Sequence, residues 1–385
     1  MAEFLGYPRP HGRTGTRNHL LILSVTGLTG PSACRISERV SPSRCLGTPY
    51  GSGLLGEDKA AHDRVLTGLA THPNVGAVLV IGADPPQVDL FAEAAGLAGR
   101  AVEGLSLDGC GHDALTLVDR GVRSAAGLLR DLSRQRRQSM PLSELFLALE
   151  CGRSDPSSGL VANPLVGVIS DRIVEAGGTA VIGETTEWLG AEHRLAARAE
   201  TLEIADAITA AADRREAMAL AAGIDLVGNN PSRTNTDAGL TTIEEKSLGA
   251  VAKSGRSPIK GLVSYAEPPS GAGLWLMDAP AYAPESLTGF AAAGANLALF
   301  TTGVGNSYGS TLMPTLKLSA NPETVVRIAQ QLDFDASPVV TGAMTLDEAS
   351  AMLEATMLDI ASGSLTWAEI LLDHDEIFSR FGSAL

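Results

Sequence analysis

Aromatic side chains are scarce in this sequence, because phenylalanine, tyrosine and tryptophan make up only 4% of its 385 residues. The core must therefore be built from alanine, valine, leucine and isoleucine, with glycine where backbones approach closely. Glycine is plentiful at 42 residues, about 11% against a usual ~7%. This excess predicts many tight turns, or places where the backbone approaches a ligand.

Other shortages exclude whole classes of protein. Four cysteines without a Cys-x-x-Cys pair do not make a disulfide scaffold, so we expect a reducing, cytoplasmic environment. Lysine and arginine number 29 against 44 aspartates and glutamates, and the net charge of −15 disfavours a nucleic-acid or membrane-surface partner. No apolar run reaches the ~18 residues that a membrane-spanning helix needs.

Apolar runs without helical periodicity alternate with segments of helical spacing along the chain. Residues 20–25 and 76–82 are typical of buried strands, with helical segments between them. Repeated strand–helix–strand units predict mainly parallel sheets covered on both faces. The polar segment 134–141 is the expected linker. We therefore expect an α/β protein of two Rossmann-like domains, an N-terminal one at 1–140 and a C-terminal one at 141–385 that carries most of the site motifs.

The remaining expected elements follow the same alternation, and beyond residue 345 the chain is expected to be helical, with Glu376 exposed to solvent. The expected helices are 32–40, 58–70, 88–98, 114–138, 164–175 and 191–222, and the further expected strands are 101–107, 145–149, 179–183, 274–277, 297–300 and 315–318.

Polar residues follow several expected strands, at the edge where open parallel sheets bind ligands. Cys151, Ser154 and Asp155 come after the strand at 145–149, and a thiol, a hydroxyl and a carboxylate there can ligate a metal or orient a substrate hydroxyl. Alternatively, Cys151 is a small buried residue, and the other two only cap the helix that begins near Asn163. Both interpretations stay open from the residues alone.

The loop after the strand at 179–183 carries three carboxylates and an imidazole. Glu184, Glu192 and His193 offer an acid, a base and metal ligands on one strand-to-helix connection. The structural alternative is that Glu192 interacts favourably with a helix dipole and His193 is merely exposed.

A third polar loop precedes the helical segment near residue 243. Its residues Arg233, Glu244 and Lys246, with Asn229 and Asn230, suit a hydroxylated anionic molecule, because arginine and lysine bind carboxylate oxygens.

Three other patterns have structural explanations or exclude a function. Thr242 and Glu245 have the spacing of a helix capping box. The glycines at 303 and 305 lack the rest of a dinucleotide motif, so dinucleotide binding is excluded. The glycine loop at 50–58 has no following lysine, which excludes a phosphate-binding P-loop.

Candidate substrate-binding residues come from these loops and from the basic segment before the first strand, whose alternative is simple solvation. They are Arg13, Arg17, Asn18, Ser154, Asn163, Arg233, Glu244, Glu267, Thr302 and Asn306.

Ten segments, in order from about residue 6 to 322, resemble the altronate and galactarate dehydratase family, to which the large subunit of sulfolactate sulfo-lyase is also similar. They are GRTGTRNH, YGSGLLGED, HPNVGAVLVIG, CGRSD with ANP, GETTEWLGAEH, AGLTTIEEKSLGAVAKSG, YAEPPSGAGLWLMDAPAY, AAGAN, FTTGVGNSYGS and PTLKLSANP. The resemblance implies a lyase that acts on a small anionic hydroxy acid, usually with a divalent metal, iron or manganese. It also implies that the family's small SAF-type domain is absent here and that a separate small subunit is a candidate partner.

The resemblance extends to the site residues with one departure. Cys151, Asp155 and His193 are the implied metal ligands, while Thr48 and Ser52 stand where relatives tend to have histidine and cysteine. This exchange of metal-binding groups for hydroxyls weakens the expectation of a metal.

The expected catalytic group consists of four residues. His193 is the expected base, Glu184 or Glu192 would orient it, and Lys246 completes the group. Two alternatives stay open: a sulfo-lyase-type subunit acting on a sulfonated hydroxy acid, and a non-catalytic sugar-acid-binding protein whose metal site has decayed. The composition is also compatible with a homodimer.

Overall fold

The computed structural model of the protein describes residues 2–224, 226 and 230–379. The strands are β1 Glu3–Gly6, β2 His19–Ser24, β3 Arg44–Gly47, β4 Val75–Gly82, β5 Ala101–Ser106, β6 Gln138–Pro141, β7 Phe146–Cys151, β8 Thr179–Ile182, β9 Ile259–Val263, β10 Gly273–Met277, β11 Leu297–Thr301, β12 Thr315–Ser319 and β13 Phe334–Asp335.

The α-helices lie mainly between these strands. They are α1 Gly30–Arg39, α2 Gly56–Ala70, α3 Pro85–Leu97, α4 Ala114–Leu132, α5 Asn163–Glu175, α6 Glu192–Ala196, α7 Leu202–Ala221, α8 Arg233–Asp237, α9 Ile243–Val251, α10 Ala283–Ala292, α11 Pro322–Arg327, α12 Ser337–Val340, α13 Leu346–Ala361 and α14 Trp367–Leu371. Within the described residues, no helix has the length and apolar character needed to cross a membrane.

The first sheet is parallel and has the strand order β3-β2-β4-β5. Successive side chains of a strand point to opposite faces, so Leu20 and Ile22 pack against α1 and α4. Leu21 and Leu23 belong to the opposite core, which includes residues of α2 and α3. Because both faces are covered, the apolar runs appear continuous in the sequence.

The second sheet has seven parallel strands in the order β13-β12-β11-β7-β8-β10-β9. Leu147 and Leu149 of the central strand face a core that contains residues of α5 and α13. Its Ala148 belongs to the core that also contains residues of α2 and α10. Gly68 is required where these two helices meet, since a Cβ there would lie 2.0 Å from the Ala292 carbonyl oxygen.

The α/β class with large parallel sheets is confirmed, while several expected boundaries were wrong. The expected helix 114–138 ends at Leu132, and the expected helix 191–222 is two helices, α6 and α7. The expected linker contains β6, which pairs with β1 in an antiparallel sheet. The domain division at residues 140 and 141 stays a prediction.

The carboxyl-terminal segment holds a buried carboxyl group where the sequence predicts a solvated one. Glu376 is only 5% exposed. It accepts hydrogen bonds from the Ser310 hydroxyl at 2.5 Å and the Thr311 backbone N–H at 3.0 Å, and its other oxygen lies 2.9 Å from the Thr288 hydroxyl. Burial raises the pKa of Glu376 to about 7 although these hydrogen bonds favour the ionised form.

This raised pKa predicts a stability that depends on pH. The folded protein retains the Glu376 proton between pH 4.5 and about 7, where the unfolded chain releases it, so stability falls as pH rises through this window. Between pH 4.5 and 8, we expect the free energy of unfolding of the wild type to decrease by about 3 kcal/mol more than that of Glu376→Gln, whose side chain cannot ionise. Urea denaturation from pH 4.5 to 8 measures the difference between the two proteins. A constant difference would contradict the assignment.

Candidate active site

The strand order reverses direction at β7. The chain passes from β7 to β8 on one side, while β11 later pairs with the other side of β7. In open parallel sheets such a switch point leaves a crevice beyond the carboxyl ends of the strands. Cys151 is the last residue of β7 and is buried there. The next loop begins at Gly152 and turns sharply at Arg153, which has a left-handed φ of 57°.

The connection after β8 brings two further carboxylates to this edge. Glu184 is buried and has a left-handed φ of 55°, which starts a single 3₁₀ turn over Thr185–Trp188. The Trp188 indole N–H donates to the Gly183 carbonyl at 3.1 Å and fixes the turn. This turn places Glu187 against β7, because the Cys151 thiol donates to its carboxylate at 3.2 Å.

Helix α9 and the turn after it supply two lysines. The Lys253 ammonium donates to Cys151 Sγ and to Glu187 Oε2, both at 3.0 Å. The Lys246 Nζ lies 3.4 Å from Glu187 Oε1 and donates to the Asn230 side-chain carbonyl at 2.8 Å. Lysines seven residues apart lie on one face of a helix, two turns from each other.

We call this group of buried ionisable residues, together with the half-buried Lys246, the Cys151 cluster. Its members are Glu150, Cys151, Glu184, Glu187, Lys246 and Lys253.

The charges of the cluster shift its pKa values in opposite directions. Burial opposes ionisation of Glu187, but Lys253 and Lys246 outweigh it and hold its pKa at about 2. Burial raises the pKa of Glu184 well above its usual value, and the nearby negative charges of Glu150 and Glu187 raise it further. Burial, helped by the Glu187 charge, raises the pKa of the Cys151 thiol to about 12. The cluster therefore contains one firmly ionised carboxylate beside one that holds its proton.

Three members of the cluster could hold a metal ion. Ligand atoms of Glu150, Cys151 and Glu187 lie within 4.8 Å of one another, and all three residues are buried. One oxygen of Glu150 accepts from the Cys151 backbone N–H at 2.9 Å, while the other has no hydrogen-bond partner among the residues described. A thiol and two carboxylates suit a divalent transition metal. The Lys253 ammonium, which bridges two of the three ligands, is the cation that a metal would have to displace.

A cavity of about 320 Å³ lies beside the cluster, and Lys246 lines it. Ser154, Asp155 and Asn163 also line it, so three predicted substrate-binding or metal-ligating residues meet at one space. This volume is at the lower end of the range for small-molecule sites. We call it the Lys246 cavity.

The side chains around the Lys246 cavity also have structural contacts. The Asp155 carboxylate accepts from the Ser158 backbone N–H at 3.0 Å and from the Asn321 amide at 2.7 Å. Asn163 donates to the Gly249 carbonyl at 2.8 Å and accepts from the Thr301 hydroxyl at 2.5 Å. Asp155 is therefore not part of the triad of potential metal ligands that includes Cys151.

His193 and Glu192 are outside the cluster. His193 is exposed at the start of α6. Glu192 lines a separate cavity of about 160 Å³ together with Glu244. Within the described part of the chain, no hydrogen bond or ion pair joins the His193 side chain to a carboxylate and His193 is not in the metal triad, so its predicted roles stay predictions.

Arg13, Arg17 and Asn18 are at the opposite edge of the sheets. Arg13 donates to the backbone carbonyls of Ser143 and Leu145. Both residues lie just before β7, the central strand of the second sheet. Arg17 forms a two-pronged ion pair with Glu369, at 2.7 and 2.8 Å. These contacts give Arg17 a structural role, and its predicted contact with substrate stays a prediction.

Four other predicted substrate-binding residues are not among those that line the Lys246 cavity. The Arg233 side chain is 92% exposed. Glu267 is exposed and accepts from the Ser264 backbone N–H at 3.1 Å. Thr302 and Asn306 accept hydrogen bonds from Gly305 and Tyr308 and so shape the loop after β11. The predicted Asn229 lies outside the described residues.

The two remaining sequence patterns are resolved by hydrogen bonds. Thr242 caps α9 by accepting from the Glu245 N–H at 3.1 Å. The Glu245 carboxylate accepts from the Thr241 N–H and not from Thr242, so only half of the expected capping box forms.

Thr48 is buried, and its hydroxyl lies 2.7 Å from the His62 Nε2, whereas Ser52 is exposed. Neither residue belongs to a potential metal group in the part of the chain that the structure describes.

Sequence reasoning singled out neither Glu150 nor Lys253, and it left Glu187 without a role. A signal for each was present. Glu150 is the only charged residue of an otherwise apolar strand, FLALEC, and a charge in a fully buried strand needs a partner. Lys253 follows Lys246 by two helical turns, so a helix that places Lys246 at the site also places Lys253 on the same face.

The comparisons with known proteins agree with this architecture. The family description "D-galactarate/Altronate dehydratase, C-terminal" matches residues 142–382, and "D-galactarate dehydratase/Altronate hydrolase, second domain" matches 6–133. The chain belongs to the D-galactarate/altronate dehydratase family, and the predicted lyase class is confirmed.

Individual relatives cover most of the chain. The (2R)-sulfolactate sulfo-lyase subunit beta of Chromohalobacter salexigens is 37% identical over 98% of this chain and 97% of its own length. The altronate dehydratase of Escherichia coli is 31% identical over 94% of this chain and 74% of its own. The galactarate dehydratase (L-threo-forming) of the same organism is 34% identical over 64% of this chain and 47% of its own.

Proposed function

We propose that the protein removes a β-leaving group from a small 2-hydroxycarboxylate and forms a 2-oxo acid, using the Cys151 cluster. The observation that carries this proposal is that Lys246, which lines the Lys246 cavity, is paired with a firmly ionised Glu187 in the same cluster as a proton-holding Glu184. Two carboxyl groups with separated pKa values are the usual arrangement for acid–base chemistry. Family membership supplies the reaction class.

Lys246 is the anchor for the substrate carboxylate. Lys246 lines the cavity. Burial lowers the pKa of its ammonium, but the charges of Glu187 and Glu184 outweigh this effect, so the pKa is raised and the group stays protonated. An ammonium held there stabilises the negative charge that builds on the carboxylate oxygens when the α-proton leaves. Glu187 keeps this lysine in place and is too weak a base to take the proton itself.

Glu184 is the group that takes the α-proton in this proposal. Its raised pKa makes its ionised form a stronger base than an ordinary carboxylate, and the hydrogen bonds of the described residues leave its carboxyl group without a partner. Departure of the β-substituent then gives an enol, which tautomerises to the 2-oxo acid. Glu184 thus replaces His193, which the sequence predicts as the base.

We propose iron or manganese as the metal, with Glu150, Cys151 and Glu187 as its ligands in place of the predicted Asp155 and His193. A bound divalent cation would act as a Lewis acid on a substrate oxygen. Binding requires the Cys151 thiol to lose its proton and the Lys253 ammonium to move, so affinity rises with pH.

The substrate is proposed to be a sugar acid, as in the altronate and galactarate dehydratases, or a sulfonated hydroxy acid. The second candidate is favoured by one observation, because the sulfo-lyase relative matches this chain over 97% of its length. That relative is called a subunit, which supports a separate small subunit as a partner of this chain. The cytoplasmic location and a homodimer stay predictions.

The experiment is an assay for 2-oxo acids with altronate, galactarate and (2R)-sulfolactate, with and without added iron or manganese. We expect Lys246→Met to raise KM and lower kcat by roughly 10²-fold in total, because it removes the charge that binds the carboxylate and stabilises the transition state. Binding of the acids without product would instead support a non-catalytic protein. Product formation with Lys246→Met at the wild-type rate would overturn the assigned site.

A further inference from the structure

A second and larger cavity lies between the two parallel sheets, away from the Cys151 cluster. Its volume is about 590 Å³, and its walls come from the loop before β2, helix α2, the start of β7 and the residues after α10. Phe146, Pro269 and Ala292 make part of an apolar surface there. This volume and lining are typical of small-molecule sites.

Three arginines, Arg13, Arg64 and Arg100, are among the residues that line this cavity. Among the described residues, no ion pair joins any of them to a carboxylate, and their hydrogen bonds go to backbone carbonyls and one threonine hydroxyl. The carboxylate of Asp63 also lines the cavity, but it is 2.5 Å from the Lys59 ammonium. The cavity is therefore positively charged, in a chain whose net charge is −15.

Of the three arginines, Arg100 gives the strongest evidence for an anion-binding site. It is only 5% exposed, and its Nε has no hydrogen-bond partner among the described residues. Burial lowers its pKa to about 10, and no carboxylate counteracts the shift. Burial lowers the pKa of the neighbouring Arg9 to about 9, with the charge of Arg100 adding to the effect. A buried cation without a counterion is costly unless an anion binds it.

We propose that this cavity is a second binding site, for a small organic carboxylate. Guanidinium groups match a carboxylate in shape and charge, and the apolar wall suits a short carbon skeleton. The site is distinct from the catalytic one, since Phe146 begins the central strand and Cys151 ends it, a separation of about 16 Å at ~3.3 Å per residue. A ligand here does not contact the Cys151 cluster, so its binding is separate from that of the proposed substrate.

The test uses succinate as the probe, with uncharged succinamide and inorganic sulfate for comparison, in calorimetric titrations of the full chain at low salt. Succinate is expected to bind, succinamide is expected not to bind, and added salt is expected to weaken succinate binding. Arg100→Gln should weaken it by roughly tenfold or more, because it removes a buried positive charge from the lining of the cavity. Thr67→Phe adds a ring at the cavity wall without changing any charge and should abolish binding.

Two controls separate this site from the catalytic one. Arg123→Gln removes an exposed arginine that pairs with Asp119 and should leave the affinity unchanged. Lys246→Met removes the proposed catalytic anchor and should also leave it unchanged, so the result does not depend on whether the protein is an active lyase. Absence of succinate binding overturns the proposal. So does binding that survives both Arg100→Gln and Thr67→Phe, or that is lost with Lys246→Met.

Discussion

Replacing Glu184 by glutamine is expected to lower kcat by roughly 10²–10⁴-fold, the usual contribution of a positioned acid–base group. Glutamine has the same shape but cannot ionise, so it offers no carboxylate oxygen to accept the α-proton, whereas the raised pKa of Glu184 makes its ionised form a stronger base. In the wild type, kcat/KM should rise with pH as this carboxyl group ionises, through a midpoint well above its ordinary value. The measurement is the initial rate of 2-oxo acid formation from pH 5 to 9.

Two further variants make the result decisive. His193→Ala should retain activity, because His193 is exposed and outside the Cys151 cluster. Glu323→Gln removes an exposed carboxylate beyond β12 and controls for the loss of one negative charge. If His193→Ala is inactive and Glu184→Gln is not, the base is His193 and the present assignment is wrong.

Replacing Lys253 by methionine is expected to destabilise the fold by about 3–5 kcal/mol, the usual effect of removing one partner from a buried ion pair. Burial disfavours the Lys253 charge, but Cys151 and the three buried carboxylates outweigh this and raise its pKa well above the usual value. Without it, the ionised Glu187 carboxylate loses its closest cation in a buried site. Chemical denaturation at pH 7 measures the loss.

The matched control is Lys260→Met. Lys260 forms an ion pair with Glu200 in which both side chains are exposed, and such pairs contribute about 0–1 kcal/mol. The double variant Lys253→Met with Glu187→Gln should recover part of the stability, because it removes the uncompensated negative charge. A loss below 1 kcal/mol for Lys253→Met would show that the cluster is not held together by charge.

The fold class was predictable because its signal is local. Val75–Gly82 is buried at every position, and such a continuous apolar run between helical segments indicates a parallel strand covered on both faces. The short strands β1 and β6 carry no such pattern. They form because they pair with each other across more than 130 residues, and no local window of the sequence contains that information.

The candidate site was predictable only in part for the same reason. The loops after β7 and β8 were expected to meet, and they do meet, through Cys151 and Glu187. Burial of individual side chains was not predictable from their motifs. His193 and Glu184 lie on one loop, yet one is exposed and the other buried, because Glu184 starts the turn beneath the sheet edge and His193 follows on a short surface helix.

In the proposed reaction, the protein forms a 2-oxo acid by removing an α-proton and then a β-substituent. The most direct measurement is the reaction of the best substrate of the panel in D₂O, followed by NMR. We expect a 2-oxo acid with one deuterium at C3, because the enol takes its new hydrogen from solvent. The proposed reaction is excluded if no acid of the panel gives a 2-oxo acid with iron, manganese and a small subunit supplied, or if the product carries no deuterium at C3.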